Sequence, residues 1–215
     1  MEIIPQIMAG VVVVGGAGSF VCYSVGKSGG TSIEEHIKSK NRSLISEESD
    51  WKDKEVIYKK LDEKSDEIIS GVENKDSQIT KVWMKIRNWC GKTKSKVFIN
   101  YDDKMYQSFS QWCLKNIDIQ AQLKQEGLKD LSSDDGEMKK RAEEFNDPEK
   151  NLDSGFIKGT GENVDESSKK KITESDLKTW CSEKKAITFK HERDQDYSRV
   201  KKWCFERQEQ PKKKD

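Results

Sequence analysis

Trp89-Cys90 and Tyr106-Gln-Ser-Phe109-Ser-Gln-Trp112-Cys113 return later in the chain as Trp180-Cys181 and Tyr197-Ser-Arg-Val200-Lys-Lys-Trp203-Cys204. Within each set the two Trp-Cys steps lie 23 residues apart, and the second set follows the first by 91. Ile86, Lys94, Phe98 and Asp103 also have counterparts, in Leu177, Lys185, Phe189 and Asp194. Trp and Cys are rare residues, so this density of matches marks an internal tandem duplication.

The repeat extends upstream. Ser32-Ile-Glu-Glu-His36-Ile-Lys-Ser-Lys-Asn41 aligns with Asp118-Ile-Gln-Ala-Gln-Leu-Lys-Gln-Glu-Gly127 at an offset of 86. Glu73-Asn74-x-Asp76 recurs as Glu162-Asn163-x-Asp165 at 89, so the second copy has gained short insertions. Ser32 and Asp118 are N-cap types, Ser32 with Glu35 makes a capping box, and Asn41 and Gly127 tolerate the left-handed residue that ends a helix.

These marks predict a mostly α-helical chain of two homologous units, 32–117 and 118–207, each of about four short helices. In each unit the third helix carries an apolar stripe: Ile79, Val82, Trp83, Ile86, Trp89 and Cys90, starting at Ser77 and stopping at Gly91, or Leu177, Trp180 and Cys181 after Thr173. The fourth starts at Asp102 or Asp194 and carries Met105, Tyr106, Phe109, Trp112 and Cys113, or Tyr197, Val200, Trp203 and Cys204. The second carries Trp51, Ile57, Tyr58 and Leu61, or Met138, Ala142 and Phe145. A short strand fits near Phe98 and Phe189. Trp89, Tyr106, Trp112, Trp180, Tyr197 and Trp203 are the expected core aromatics, and the polar stretch from Gly155 to Lys171 is the least regular part.

Ahead of the repeats, Ile3 to Gly26 is free of charge for 24 residues and includes Val11-Val-Val-Val14. A helix of that length spans a hydrocarbon core of ~30 Å, so residues 1–26 are expected to form a transmembrane anchor or signal-anchor. Gly18, Cys22 and Gly26 give it a small-residue face. A cleaved signal peptide is the rival, with Ala17-Gly18-Ser19 as the cleavage site but Glu2 and no cation before the apolar run. Residues 27–31 read as a flexible tether and 208–215 as a basic tail. Lys27, Lys38, Lys40 and Arg42 follow the anchor, which favours a cytoplasmic C-terminal part. Oxidised cysteines would favour the opposite, and an extracellular soluble part is the expectation carried forward.

Each unit sets one cysteine at the end of its third helix and another about three turns into its fourth, with a connection of about ten residues between the helices. Antiparallel packing would bring Cys90 to Cys113 and Cys181 to Cys204, although four cysteines allow three pairings. Reduced, buried thiols beside Trp are the plain alternative. Zinc lacks any close Cys/His spacing, and His36 and His191 lie in unrelated contexts. A disulfide closing a loop of that size contributes ~3 kcal/mol, which matters in a chain that is 37% charged with a mean hydropathy of −0.94.

Lys and Arg number 40 against 39 Asp and Glu, a net charge of +1, so no global field selects nucleic acid or an anionic membrane. Lys81 to Lys96 is locally basic, without an acid, and holds Trp83 and Trp89. Its aromatics fall on the apolar stripe, which makes a solvated face more expected than a nucleic-acid surface; that surface, or a scaffold role, is the alternative. The Gly-rich N-terminus imitates a dinucleotide turn and Gly26-Lys27-Ser28 a phosphate loop, but Val21 stands where each needs a small residue. The Glu-Asn-x-Asp loops hold too few oxygen ligands for calcium. No catalytic constellation, cofactor site or small-molecule substrate emerges, and an enzyme would need a pocket with convergent ionisable groups.

The Gly-rich apolar Met8–Gly18 segment, followed by two units ending Tyr-x-x-apolar-x-x-Trp-Cys at 106–113 and 197–204, resembles the large paralogous families of uncharacterised proteins in haemotropic mycoplasmas. The resemblance covers most of the chain. It implies a wall-less bacterium, membrane anchoring through residues 3–26, and host-facing display with a role in host contact or antigenic diversity. No activity or functional residue comes with it. Trp-Cys at both positions of both copies departs from the variation expected of such a family.

Overall fold

A computed structural model describes residues 30–77, 80–150, 155–161 and 170–207. Within them the chain is mostly helical. The first half contains α1 (Ile33–Ser39), α2 (Glu48–Tyr58), α3 (Val82–Thr93) and α4 (Lys104–Trp112). The second contains α5 (Ile119–Gln125), β1 (Leu128–Asp130), α6 (Asp135–Asn146), α7 (Glu174–Lys185), α8 (Gln195–Cys204) and β2 (Phe205–Arg207). The expected anchor at 1–26, the Glu162-Asn163-x-Asp165 loop and the tail at 208–215 lie outside the described residues. Among the described residues no helix is long and apolar enough to cross a membrane.

Local chemistry sets the helix ends. Ser32 Oγ accepts the N–H of Glu35 at 3.2 Å while the Glu35 carboxylate accepts the N–H of Ser32 at 2.9 Å, closing the capping box of α1. Asp118 does the single-sided equivalent for α5, its carboxylate accepting from Ala121 at 2.6 Å. Thr173 and Asp176 form a second capping box on α7. Beyond α1 and α5 the backbone turns left-handed, at Asn41 (φ 55°) and Gly127 (φ 77°).

The same backbone joints recur in both halves. Ile33 N–H donates to Lys96 O at 2.8 Å, and Ile119 N–H to Ile187 O at 3.0 Å. Ile45 N–H reaches Cys113 O and Leu131 N–H reaches Cys204 O, at 3.0 and 2.9 Å. Leu44 bridges Leu114 in the first half; in the second, the equivalent pair Asp130 and Phe205 belongs to the antiparallel β1–β2 ladder. Buried apolar side chains accordingly form two clusters, one from Ile33 to Leu114 and one from Ile119 to Phe205. Helices pack within their own half, α2 on α3 and α3 on α4, then α6 on α7 and α7 on α8.

Several expectations need correction. The segment near Phe98 and Phe189 forms no strand: only isolated bridges occur, Ser32 to Val97 and Asp118 to Thr188, because each crossing is one pair long. The strands that do form, β1 and β2, carry no alternating apolar signal. Helix α3 begins at Val82, not at Ser77, since the Asp76 carboxylate accepts the Val82 N–H at 3.1 Å while Ser77 and Thr80 close a separate turn. Gly91 lies inside α3; with ordinary helical backbone it does not end the helix. The cap of α4 is Asp103, not Asp102. Ile57 faces outward, 49% exposed, because Trp51, Lys54 and Tyr58 occupy the inward stripe of α2.

Candidate functional site at the junction of the two halves

The cysteines sit where α3 meets α4 and α7 meets α8. Cys90 is bonded to Cys113 and Cys181 to Cys204, with Cα–Cα separations of 5.6 and 5.8 Å. All four are buried. Tyr106, Trp112, Trp180, Tyr197 and Trp203 are buried around them, whereas Trp89 is half-buried at the edge, 6.3 Å from the Phe109 ring. Trp112 is fixed further by its indole N–H, which donates to Glu67 O at 2.9 Å.

The two halves meet through polar side chains. Tyr106 on α4 donates its hydroxyl to both carboxylate oxygens of Glu192, at 2.9 and 3.1 Å. Ser110, one turn on, donates to Lys190 O at 2.6 Å, and Lys190 Nζ returns to Glu67 at 2.6 Å. Arg193 grips Asp102 with two nitrogens, Nε at 2.8 Å and Nη2 at 3.0 Å. Asp102 and Arg193 are themselves equivalent positions, so like faces like across the junction, as in an isologous contact. Arg42, 6% exposed, lies over the Phe189 ring of the other half at 4.9 Å.

Beside these contacts opens a cleft of about 790 Å³, walled by Lys40 and Tyr101 from the first half and by α5 and α8 from the second. Ionisable groups converge there. Burial pushes the Glu192 carboxyl above its ordinary range, with the nearby Glu126 charge adding to the push against the Tyr106 bond and Arg42. Burial also raises Glu126, but bonds from Lys201 (2.7 Å), Tyr197 (2.6 Å) and Gln122 (3.0 Å) outweigh it and hold that carboxyl below its ordinary value. The Tyr106 and Tyr197 hydroxyls are pushed up, mainly by burial and then by their carboxylate partners, so both remain donors.

Both histidines border this region. His36 stacks on Phe98 at 3.6 Å and meets Tyr106 edge-on, and burial lowers its pKa. His191 accepts the Arg193 backbone N–H on Nδ1 at 3.2 Å and is likewise lowered by burial. Among the described residues no group of His, Cys, Asp and Glu could hold a metal ion.

The basic stretch at 81–96 lies apart from the cleft. Trp83 is buried, and three of its cations face acids: Lys81 to Asp76, Lys85 to Glu73 and Lys94 to Glu34, at 3.3, 2.9 and 3.3 Å.

Sequence reasoning missed the cleft. Glu126, Glu192, Gln122 and Lys201 carry no motif, and Glu192 stands opposite Tyr101 in the repeat. The one usable signal was that departure, a carboxylate in one copy where the other has a ring. Compared with known proteins, the chain matches no family profile, no curated protein and no solved structure.

Proposed function

We propose that the chain is a membrane-tethered protein whose disulfide-closed halves are displayed outside the reducing cytoplasm and act by binding rather than turnover. One observation carries this: two disulfides at equivalent positions, one per small core. Such bonds form and persist in oxidising compartments and are rare where glutathione keeps thiols reduced. Residues 3–26 supply the tether, and the soluble part faces the host.

The binding surface is the junction cleft, whose two carboxylates are already engaged by Tyr106, Tyr197 and Lys201. Protease added to intact cells should remove the chain beyond Lys27. Full protection until the membrane is opened would rule out display.

A second function class, acid–base catalysis, has one feature in its favour: Glu192 pushed up and Glu126 held down in the same cleft. Turnover of any ligand that the cleft captures would move the assignment to that class.

A further inference from the structure

We propose that the junction cleft binds a small hydroxyl-rich organic anion, a sugar acid or a sugar phosphate. This rests on the cleft being the binding surface of the displayed protein, and it names the ligand class. The volume, about 790 Å³, is within the range of small-molecule sites and leaves room for a sugar anion with its bound water. No aliphatic side chain lines it. The rings of Tyr101 and Tyr197 are the main apolar cover it offers, so an acyl chain fits poorly and the occupant is largely polar with at most a small apolar face.

Charge narrows the class. Lys40, Arg193, Lys201 and Lys202 face the cleft against Glu126 and Glu192, leaving the lining net positive. Lys201 is committed to Glu126 and Arg193 to Asp102, whereas among the described residues no carboxylate pairs with Lys40 or Lys202, and Lys202 lies over the Trp203 ring at 4.4 Å. A net-positive mouth favours one anionic group over a neutral or zwitterionic ligand. Two carboxylates inside the same space repel a polyanion, so a continuous phosphate backbone fits poorly.

The hydroxyls are called for by the inner wall. Gln122 is 2% exposed, its amide N–H donates to Glu126 at 3.0 Å, and its Oε1 is buried with no partner. A buried amide oxygen left unpaired costs about 1–3 kcal/mol, and because Gln122 lines the cleft, a turn of its amide toward the opening would let a ligand O–H recover that cost. Glu126 stays charged and keeps lone pairs beyond those used by Tyr197, Lys201 and Gln122. Acceptors lie inside and cations at the mouth. An anionic sugar presents the complementary order.

The test is calorimetric titration of the full chain in detergent, disulfides intact, with glucuronate, glucose 6-phosphate, glucose and inorganic phosphate. Both sugar anions should bind at least tenfold more tightly than glucose or inorganic phosphate. Gln122→Leu should weaken them at least tenfold with the circular dichroism spectrum unchanged. Lys40→Glu, at an exposed position, should weaken them severalfold and flatten their salt dependence. Equal affinity for inorganic phosphate, no binding by either sugar anion, or indifference to both substitutions overturns the proposal. Ligand recovered chemically altered would overturn binding without turnover but leave the ligand class standing. Binding by a chain that protease cannot reach on intact cells would overturn display alone.

Discussion

The ammonium group of Lys54 is buried in the first half and donates to the backbone carbonyl of Gln111 at 2.6 Å. Gln111 lies in the last turn of α4, where carbonyls have no partner within the helix and the helix dipole is negative. Arg141 makes the matching bond in the second half, from Nη1 to Lys202 O at 2.5 Å in the last turn of α8. A cation on each second helix thus closes the end of each fourth helix, next to the disulfide. Lys54 also reaches Asn116 at 2.6 Å, and among the described residues no carboxylate pairs with it directly.

That arrangement makes stability depend on pH. Burial, then the nearby Arg42 charge, pushes the Lys54 amine down to about 8 against a weaker opposing pull from Asp50. Between that value and the unfolded value of about 10.4 the unfolded chain binds the extra proton, so stability rises with pH across this window and is flat below it. Lys54→Met should abolish that rise. Urea unfolding at pH 7.5 and pH 10 measures it, and a variant that keeps the full increment would remove Lys54 as its source.

Each disulfide closes its own core, so the losses should be local. Replacing Cys90 and Cys113 with Ala should destabilise by about 3 kcal/mol. Amide exchange should accelerate in α1 to α4 and remain slow in α5 to α8. The Cys181 and Cys204 pair should give the mirror result. Uniform acceleration in both halves would mean that the two clusters unfold as one unit.

Trp112 combines burial with a hydrogen bond to the loop that holds Glu67. Trp112→Phe keeps most of the apolar contact and strips the donor, leaving Glu67 O without its partner. The expected cost is about 1–3 kcal/mol, against about 3–5 for Trp112→Ala, which also opens a cavity. Thermal unfolding of the two variants should keep that order.

The two helix stops differ in their tolerance. Gly127 at φ 77° has open space where a Cβ would go, so Gly127→Ala meets backbone strain alone and should cost about 1 kcal/mol. Asn41→Gly at φ 55° should be neutral or slightly stabilising. Chemical denaturation of both single variants checks the sign.

The sequence by itself determined the doubling, the helix caps at Ser32, Asp118, Thr173 and Asp194, the left-handed stops and the aromatic stripes. Each of these depends on neighbours within a turn or two of the same helix, or on a second copy that can be aligned with the first. Only the tertiary structure decided the cysteine partners among three pairings, the inward turn of Lys54, and the meeting of Tyr106 with Glu192 and of Asp102 with Arg193. Those contacts join residues between 23 and 91 positions apart. A charged side chain reads as solvated until the packing of other elements removes its water, and no local pattern records that.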